Sequence, residues 1–507
     1  MKFDAGRCSD AYEKLEPEAD RLLPENLEDF LVELRARTGN SDDLVVQMHS
    51  VAGCQLAVVM FEGQISNQQV SQLLLGPLGR LELPEEKGGS QGVMNWLRSG
   101  SLLASDQKEA RTLDEVLAFA MSGFAVVVVD GQKSAVALGY QGFSTRGVGE
   151  PSSEVNLRGS REGFCEIITL NVALVRRRIK SGLLTVESLD AGRVSRTKVK
   201  LLYLRGAASA GLVRAVRERL RQVDISVVLD SAYLQPFLDG GRFSFFSGAG
   251  STERPDVLCA KLAEGRVGVL VDGTPFALIV PFLFAEHFQT MDDYTHRPYF
   301  AAFLRLLRMV SFIATVFLPG YYVAVVTYHP DLIPDLLLST FVGSVLYTPL
   351  PAFWEAVLVF VLYELLREAG LRLPRPIGHA VSIVGGLVIG DAAVTAGLVG
   401  LPMVILIALT AVTSFVVPSL YQPVTVLRLL FLVAGGTLGL YGIYLGLGIF
   451  LVDLCSLQTL GIPVTAPASP FDRRSMRDLF IRSSWKKLQR SDLRVGDVPG
   501  AQKKDDR

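Results

Sequence analysis

Cysteine and histidine are both scarce in this chain, which has five of each among 507 residues. The cysteines are scattered, odd in number and never in a Cys-x-x-Cys pair. This argues against a disulfide framework and favours free thiols in a reducing compartment. No group of His and Cys residues has the spacing of zinc ligands. We therefore expect neither a metal nor a cofactor.

An excess of charge of either sign is also missing. Lys and Arg total 50, and Asp and Glu total 51, for a formal net charge of −1. The chain therefore has no general attraction to nucleic acid. The part before the apolar runs contains no P-loop, H-E-x-x-H or paired-carboxylate site. These absences predict that the protein is not an enzyme.

Long apolar runs are absent from the first half and concentrated after it. The uncharged runs are Met309–Val326, Met403–Leu420 and Leu429–Val452. A further run, Val381–Leu401, contains one charged residue, Asp391. A helix needs roughly 20 apolar residues to cross a bilayer, which predicts an α-helical transmembrane bundle of four to six spans at 301–460. Residues 1–40 show no signal peptide, so we expect the part before the bundle to stay on the side where it is made.

The residues before the bundle predict a soluble α/β head of two subdomains. The apolar stripe of Leu27–Arg37 predicts a helix, and residues 82–110, which are polar and rich in Gly and Ser, predict a loop. A helix is also predicted at Arg161–Ser181, with three arginines near its end that we expect on a solvated face. The predicted soluble regions are a charged helical lead-in at 1–40, an N-terminal α/β subdomain at 41–150, a second α/β subdomain at 151–300 and a basic cytosolic tail at 461–507.

Two stretches of the head echo each other. Gly123 precedes Asp130-Gly131 by seven positions, and Gly265 precedes Asp272-Gly273 by the same seven. Each Asp-Gly lies between two β-rich runs, which is the strongest short-range signal for a hairpin. We therefore predict a helix–strand–hairpin–strand unit in each subdomain, through either a shared folding solution or a gene duplication.

A series of short motifs follows one order along the chain. They include Thr252-Glu253-Arg254-Pro255-Asp256, Asp272-Gly273-Thr274-Pro275, Pro376-Ile377-Gly378, Ile383-Val384-Gly385-Gly386-Leu387-Val388-Ile389-Gly390 and Ala408-Leu409-Thr410-Ala411. This series, over roughly residues 110–470, resembles the A subunit of a GerA-type spore germinant receptor. The motif residues that we expect to be structural are Glu253, Arg254, Pro255, Asp256, Asp272 and Gly273. An ion pair at a helix start explains the first group more simply than catalysis does.

The resemblance implies a complex in the spore inner membrane with a transporter-like B subunit and a lipoprotein C subunit. It implies an A subunit that contacts membrane lipid, turns its head and tail to the core or cytoplasm, and forms a homo-oligomer around an ion channel. A nutrient would open this channel and release monovalent cations to start germination. The chain departs from the family at Asp391, where a Gln is usual, and at Gly400-Leu401-Pro402, which replaces a Ser-Pro. The alternative is a transporter-like or modulatory membrane protein of spore germination.

Val381–Leu401 is the best candidate for the pore. A carboxylate inside a span is costly and usually faces water or a partner, and a ring of such carboxylates around an oligomer axis would attract cations. The pore-lining candidates are Val384, Leu387, Val388, Asp391 and Val394. Packing through Gly386-x-x-x-Gly390 alone is the other interpretation.

Three charged residues elsewhere in the bundle are second candidates. They are Glu355, Glu364 and Arg428. We expect Glu364 to lie at the membrane interface beside Arg367. We expect Arg428 to pair with Asp391, Asp453 or a lipid phosphate.

Positive charge predicts which ends of the spans lie on the inner face. Arg305 and Arg308 precede the first span, and the tail Phe471–Arg507 has 11 basic and six acidic residues, so both belong inside. A simple count gives five spans and would leave the tail outside. We therefore expect either a re-entrant segment or a reversal of Leu429–Val452 at its glycines, with four or six crossings.

Overall fold

The computed structural model describes most of the chain. The described residues are 22–81, 89–99, 102–104, 106–142, 149–151, 153–154, 158–239, 244–334, 343, 348–374, 386, 388, 390–472, 475–479, 482–483, 494–497 and 501. They form an α/β head with two five-stranded sheets, a helical bundle, and a carboxyl-terminal segment that returns to the head. Helices of eight or more residues carry the numbers α1 to α10.

The first half of the head is a sheet of five antiparallel strands. They are β1 (Leu44–Val51), β2 (Cys54–Phe61), β3 (Gln107–Ala110), β4 (Phe124–Val129) and β5 (Ala135–Gly139), in the order β1-β2-β4-β5-β3. One face is covered by α1 (Leu27–Thr38) and α3 (Leu113–Ala120), and the other by α2 (Ser90–Arg98) and the helical segment 67–79. Because both faces are covered, residues 56–61 of β2 and the whole of β4 are continuous apolar runs that are buried.

The second half of the head has the same architecture. Its strands β6 (Leu184–Ala191), β7 (Thr197–Leu204), β8 (Gly250–Thr252), β9 (Val267–Val271) and β10 (Ala277–Val280) lie in the order β6-β7-β9-β10-β8. Its helices are α4 (Ile168–Arg178), α5 (Ala210–Arg221) and α6 (Pro255–Ala263). They alternate with the strands as α1, α2 and α3 do in the first half. The predicted echo therefore extends over a whole repeat of three helices and five strands.

Both Asp-Gly pairs form the predicted hairpin turns, between β4 and β5 and between β9 and β10. Two predictions of element bounds in the head are wrong. Residues 82–110 are not a loop throughout, because they contain α2 and β3. The helix predicted at Arg161–Ser181 begins only at Ile168, since the backbone N–H of Phe164 instead donates to the carbonyl of Glu253 at 2.7 Å.

A buried ion pair joins the two repeats. Arg176 of α4 donates to Asp43, with Nε–Oδ2 at 2.9 Å and Nη2–Oδ1 at 2.8 Å, and both side chains are 1% exposed. The expectation that the three arginines of α4 lie on a solvated face is therefore wrong for Arg176. The other two, Arg177 and Arg178, both pair with Glu162.

The bundle contains the helices α7 (Pro298–Tyr328), α8 (Ala352–Arg372), α9 (Leu401–Ser414) and α10 (Tyr421–Ser456). Within the described residues, two helical segments are long and apolar enough to cross a membrane, Pro298–Tyr328 and Pro418–Ser456, and α9 is apolar but shorter. Among the described helices of the bundle, α7 and α10 make the most extensive contact. Their shared apolar cluster includes Phe312, Phe431 and Phe450.

α10 is a helical hairpin, because the chain reverses at Gly439. This glycine has φ +60° and ψ −146°, which interrupts the helix. Phe431 lies against Gly446, and the carbonyl of Ala434 lies against Gly442. In a continuous helix these pairs would be separated by about 22 and 12 Å along the axis. The reversal at the glycines of Leu429–Val452, one of the two alternatives that the sequence offered, is observed.

Candidate functional site in the helical bundle

Only part of the candidate pore segment lies within the described residues. Val384 and Leu387 lie outside them, whereas Val388, Asp391 and Val394 lie inside. Val388 is 58% exposed, Asp391 is exposed and Val394 is partly buried. Asp391 makes no ion pair with any residue that the structure describes.

The surface around this segment is largely uncovered. A methyl group added at Gly386 or Gly390 would meet no atom within 4 Å, and residues 391–392 and 395–396 are exposed. The two glycines therefore do not serve close packing against another described helix of the same chain. Among the described residues, Asp391 has no ion-pair partner, and the two glycines have open space beside them.

Glu355 belongs to the first turn of α8, and its side chain reaches the start of α9. Its side chain is 3% exposed, and its Oε1 accepts a hydrogen bond from the backbone N–H of Gly400 at 2.5 Å. Gly400 is the N-cap of α9 and Pro402 lies in its first turn. A carboxylate at this place accepts from a free N–H group and faces the positive end of the helix. The departure from the family at Gly400-Leu401-Pro402 therefore forms the beginning of a helix that Glu355 caps.

Glu364 and Arg428 are brought together on facing helices. Arg428 is 1% exposed, and its Nη2 donates to Glu364 Oε1 at 2.8 Å. Glu364 Oε2 accepts from Tyr421 at 2.6 Å and from Arg367 at 3.0 Å. The structure thus pairs Arg428 with Glu364, and not with Asp391 or Asp453 as the sequence suggested.

Aromatic rings complete the surroundings of Arg428. Its guanidinium lies 4.3 Å from the ring centre of Phe360, in the range of a cation–π contact. Its Nε and Nη1 atoms are buried and have no hydrogen-bond partner among the described residues. One carboxylate therefore faces two guanidinium groups, those of Arg367 and Arg428, and the cluster carries an excess positive charge.

The family motif at residues 253–256 begins α6. Arg254 is the N-cap, Pro255 is the first helical residue, and Asp256 lies in the first turn, an order that suits helix starts. Arg254 Nε donates to Asp256 Oδ1 at 3.0 Å, which is the internal ion pair that the sequence suggested. Glu253 is buried and accepts a hydrogen bond from the backbone N–H of Ser153 at 3.1 Å. The motif therefore fastens the connection between the repeats to β8 and α6.

The same connection holds a carboxyl group with an altered pKa. Glu154 Oε2 accepts a hydrogen bond from Thr252 Oγ1 at 2.7 Å. Burial raises the pKa of Glu154 to about 7, against the lowering effects of the Thr252 hydroxyl and the Arg254 guanidinium. Glu253 and Asp256 raise it further, because they add negative charge nearby.

A cluster that the sequence did not single out joins head, bundle and tail. Arg305 of α7 is buried, and it donates from Nε to Asp293 Oδ2 at 2.9 Å and from Nη1 to Asp478 Oδ1 at 3.0 Å. Arg308 also pairs with Asp293, and the hydroxyl of Tyr294 donates to Asp478 Oδ2 at 2.7 Å. Asp478 belongs to the tail, so the tail lies at the same end of the bundle as the head. The signal in the sequence was the positive charge at Arg305 and Arg308.

Comparison with known proteins places these features in context. The family described as Bacillus/Clostridium GerA spore germination protein matches residues 32–493. Spore germination protein KA of Bacillus subtilis (strain 168) is 36% identical over 475 residues, which cover 93% of this chain and 87% of that protein. The uncharacterized membrane protein YfkQ of the same strain is 35% identical over 475 residues, with 93% and 92% covered.

One solved structure is also similar to part of the chain. The crystal structure of the N-terminal domain of the A subunit of the Bacillus megaterium spore germinant receptor GerK3 covers 53% of this chain and 99% of that domain. The sequence identity is 29% and the TM-score is 0.40.

Proposed function

Since this chain belongs to the Bacillus/Clostridium GerA spore germination protein family, we propose that it is the A subunit of a nutrient-responsive germinant receptor. In this proposal it lies in the spore inner membrane with a transporter-like B subunit and a lipoprotein C subunit. Copies of the chain form an oligomer around a pore that conducts monovalent cations when a nutrient is sensed. The observation that carries the pore is Asp391, an exposed carboxylate without an ion-pair partner among the described residues of a helical membrane segment.

The direction of each helix supports a membrane topology with the head and tail on one side. α7 leaves the head at Pro298 and ends at the far side, where the Tyr328 hydroxyl donates to the carbonyl of Gly436 at 2.9 Å. α8 begins at that far side, because Phe353 packs against Gly436. It runs back toward the head, because Glu364 bonds to Tyr421 at the start of α10.

The remaining passes follow from the same contacts. α9 begins at the far side, where Glu355 caps it, and the chain after it reaches the head, where Ser419 Oγ lies 3.0 Å from His287 Nδ1. α10 then crosses twice around Gly439. Since α8 runs toward the head and Gly400 lies at the far side, the proposed topology includes one more crossing between α8 and α9, in the part of the sequence that contains Asp391. We therefore propose six crossings, an even number that agrees with the contacts between tail and head.

Electrostatics supports a role for Asp391 in conduction. A carboxylate in a low-dielectric region is tolerated when it faces water or a counter-charge. No described residue of the bundle forms an ion pair with it, and Arg428, a partner that the sequence suggested for it, pairs with Glu364. In a ring of Asp391 side chains around a water-filled axis, water would hydrate the carboxylates. Their negative charge would give the pore a local preference for cations.

Cross-linking tests the oligomer axis. Cysteines placed singly along residues 384–398, in a variant whose own cysteines are replaced by serine, should cross-link copies of this chain with helical periodicity. A matched series along the second half of α10, residues 440–452, is the control. Cross-links confined to the control series would move the axis to α10 and remove Asp391 from the pore.

Ion release from spores tests the chemistry. Asp391→Asn should slow the cation release that nutrient triggers, and Leu387→Ala should make spores leak without nutrient because it widens an apolar constriction. The matched control is Glu368→Gln, since Glu368 pairs with Arg372 at the head-side end of α8. Immunoblots should show equal amounts of each variant. Unchanged release in Asp391→Asn spores, at normal protein amounts, would favour the modulatory or transporter-like alternative.

A further inference from the structure

One connection of the second repeat is much longer than its counterpart in the first. The chain uses residues 222–249 to pass from α5 to β8, but only residues 99–106 to pass from α2 to β3. The repeats otherwise share their elements, so the fold itself does not require the longer connection. Its exposed large apolar side chains include Leu229 at 65%, Tyr233 at 47%, Phe237 at 37% and Phe245 at 40%.

These side chains stand on an ordered frame. Leu234 and Leu238, their neighbours in sequence, are fully buried in the core of the second repeat. Gln235 Nε2 donates to Ser247 Oγ at 2.9 Å and to the carbonyl of Ala249 at 3.1 Å, which closes the connection on itself. The aromatic rings are therefore held at the surface by the packing of the residues between them.

The connection lies where the bundle meets the head. The ring of Phe246 packs edge-on against Phe284, with centres 5.1 Å apart, and against Phe450, with centres 5.9 Å apart. Phe450 belongs to the second half of α10, close to its return to the head. The backbone N–H of Phe282 donates to the carbonyl of Gly248 at 2.7 Å. The exposed residue Phe245 is thus the sequence neighbour of a residue that packs against α10.

We propose that Tyr233, Phe237 and Phe245 insert into the headgroup region of the lipid bilayer and rest the second repeat on the membrane surface. This inference depends on the proposed function, which places the bundle in a bilayer. Aromatic side chains favour the boundary between headgroups and acyl chains, and large apolar side chains held exposed on an ordered frame mark a contact surface. The packing of Phe246, the sequence neighbour of Phe245, against Phe450 of α10 favours lipid as the occupant.

Fluorescence quenching in nanodiscs tests the insertion. The full chain has three tryptophans, Trp96, Trp354 and Trp485, which would be replaced by phenylalanine, and a single tryptophan would then be placed by Phe237→Trp or Phe245→Trp. In discs of phospholipid brominated near the headgroup, emission should fall by about half or more relative to unbrominated discs, because interfacial indoles lie close to those bromine atoms. Leu103→Trp, at a 78% exposed site in the first repeat, is the matched control and should remain unquenched.

A second reporter separates this inference from the proposed function. A protein that keeps only Trp354, which is 57% exposed on α8, reports whether the bundle lies in lipid. Quenching of Trp354 without quenching at 237 or 245 would overturn the insertion but not the placement of the bundle. The same conclusion would hold if a partner subunit shifted the emission of the tryptophans at those two sites. Absence of quenching at Trp354 would overturn the placement of the bundle. Tyr233→Trp, with the same expected quenching, serves if either phenylalanine variant does not fold.

Discussion

Asp130 and Asp272 hold equivalent places in the two repeats, and each fixes the first helix of its own repeat. Asp130 Oδ1 accepts from the backbone N–H of Leu27 at 3.0 Å, and Asp272 Oδ1 accepts from that of Ile168 at 3.1 Å. The glycine that follows each aspartate donates its N–H to a backbone carbonyl just before the same helix, at 2.8 Å in both cases. The Asp-Gly pair is therefore both a hairpin turn and a tie that closes the repeat from its last hairpin to its first helix.

Gly273→Val should destabilise the head through the backbone alone. Gly273 has φ +87°, and an added Cβ would meet no atom within 4 Å, so the cost is that of placing a branched residue at positive φ, about 1–2 kcal/mol or more. Urea unfolding of the purified head measures it. Gly149→Val is the control, because Gly149 also has open space but no positive φ. Equal free energies of unfolding in urea for Gly273→Val and the parent would show that the turn tolerates a side chain.

A head fragment that ends before Arg305 should be soluble and unfold cooperatively, since both sheets have apolar clusters on both faces. The tail adds to the second repeat, because Ile462 and Val495 join its core. A peptide of residues 457–501 should therefore raise the melting temperature of the fragment, by an amount that corresponds to at most roughly 3–6 kcal/mol for the two side chains. Circular dichroism with and without the peptide measures this. Aggregation of the fragment under all conditions would contradict autonomous folding.

Arg176→Met should destabilise the head by about 3–5 kcal/mol, because it leaves the buried carboxylate of Asp43 without its partner. Asp43→Asn combined with Arg176→Met should cost less than the sum of the single changes. Thermal unfolding of the four proteins completes the cycle. Arg177→Met is the matched control and should cost less than about 1 kcal/mol, since the pair with Glu162 is partly exposed. Additive effects at Asp43 and Arg176 would show that the ion pair does not hold the repeats together.

Stability of the head should fall between pH 5 and pH 8 through Glu154. The pKa of Glu154 is about 7 in the folded protein and 4.5 ordinarily, so the folded state holds the proton more tightly. Its contribution is therefore complete below pH 4.5 and is lost as the pH rises through 7. We expect a loss of about 1–3 kcal/mol.

Glu154→Gln should remove that part of the pH dependence and raise the melting temperature at pH 8. Glu150→Gln, at a side chain that is 66% exposed, should leave the dependence in place. Melting curves of the head at several pH values compare the three proteins. A dependence that is the same in Glu154→Gln and the parent would assign it to other groups.

Gly435→Ala should destabilise the bundle, because α7 and α10 cross with their backbones in contact. A methyl group at Gly435 would overlap the carbonyl of Gly320, and forcing extra volume into a packed contact costs about 1–3 kcal/mol. The melting temperature of the full chain in detergent measures the effect. Gly448→Ala, where an added methyl meets nothing within 4 Å, should have no comparable effect. Equal loss in both variants would indicate a general intolerance of the helix and not a specific crossing.

Local sequence determined the elements whose cause lies within a few residues. The Asp-Gly turns need positive φ at the glycine, α6 begins with Pro255 and Asp256, and the apolar runs have the length of spans. By contrast, α2 was missed because glycines and polar residues surround its short apolar stripe of Val93, Met94 and Leu97. The repeat itself was the signal that could have revealed it, since α5 holds the equivalent place.

Tertiary structure decided every relationship between residues that are distant in sequence. The sequence shows that Arg176 and Arg428 are charged, but their partners Asp43 and Glu364 lie 133 and 64 positions away. No local pattern can select one partner among all the acidic residues of a chain. The reversal at Gly439 was likewise one of two alternatives, because a glycine permits a left-handed turn without requiring it. Periodicity and propensity determine which face of an element is apolar. Which other element covers that face depends on the packing of the whole chain.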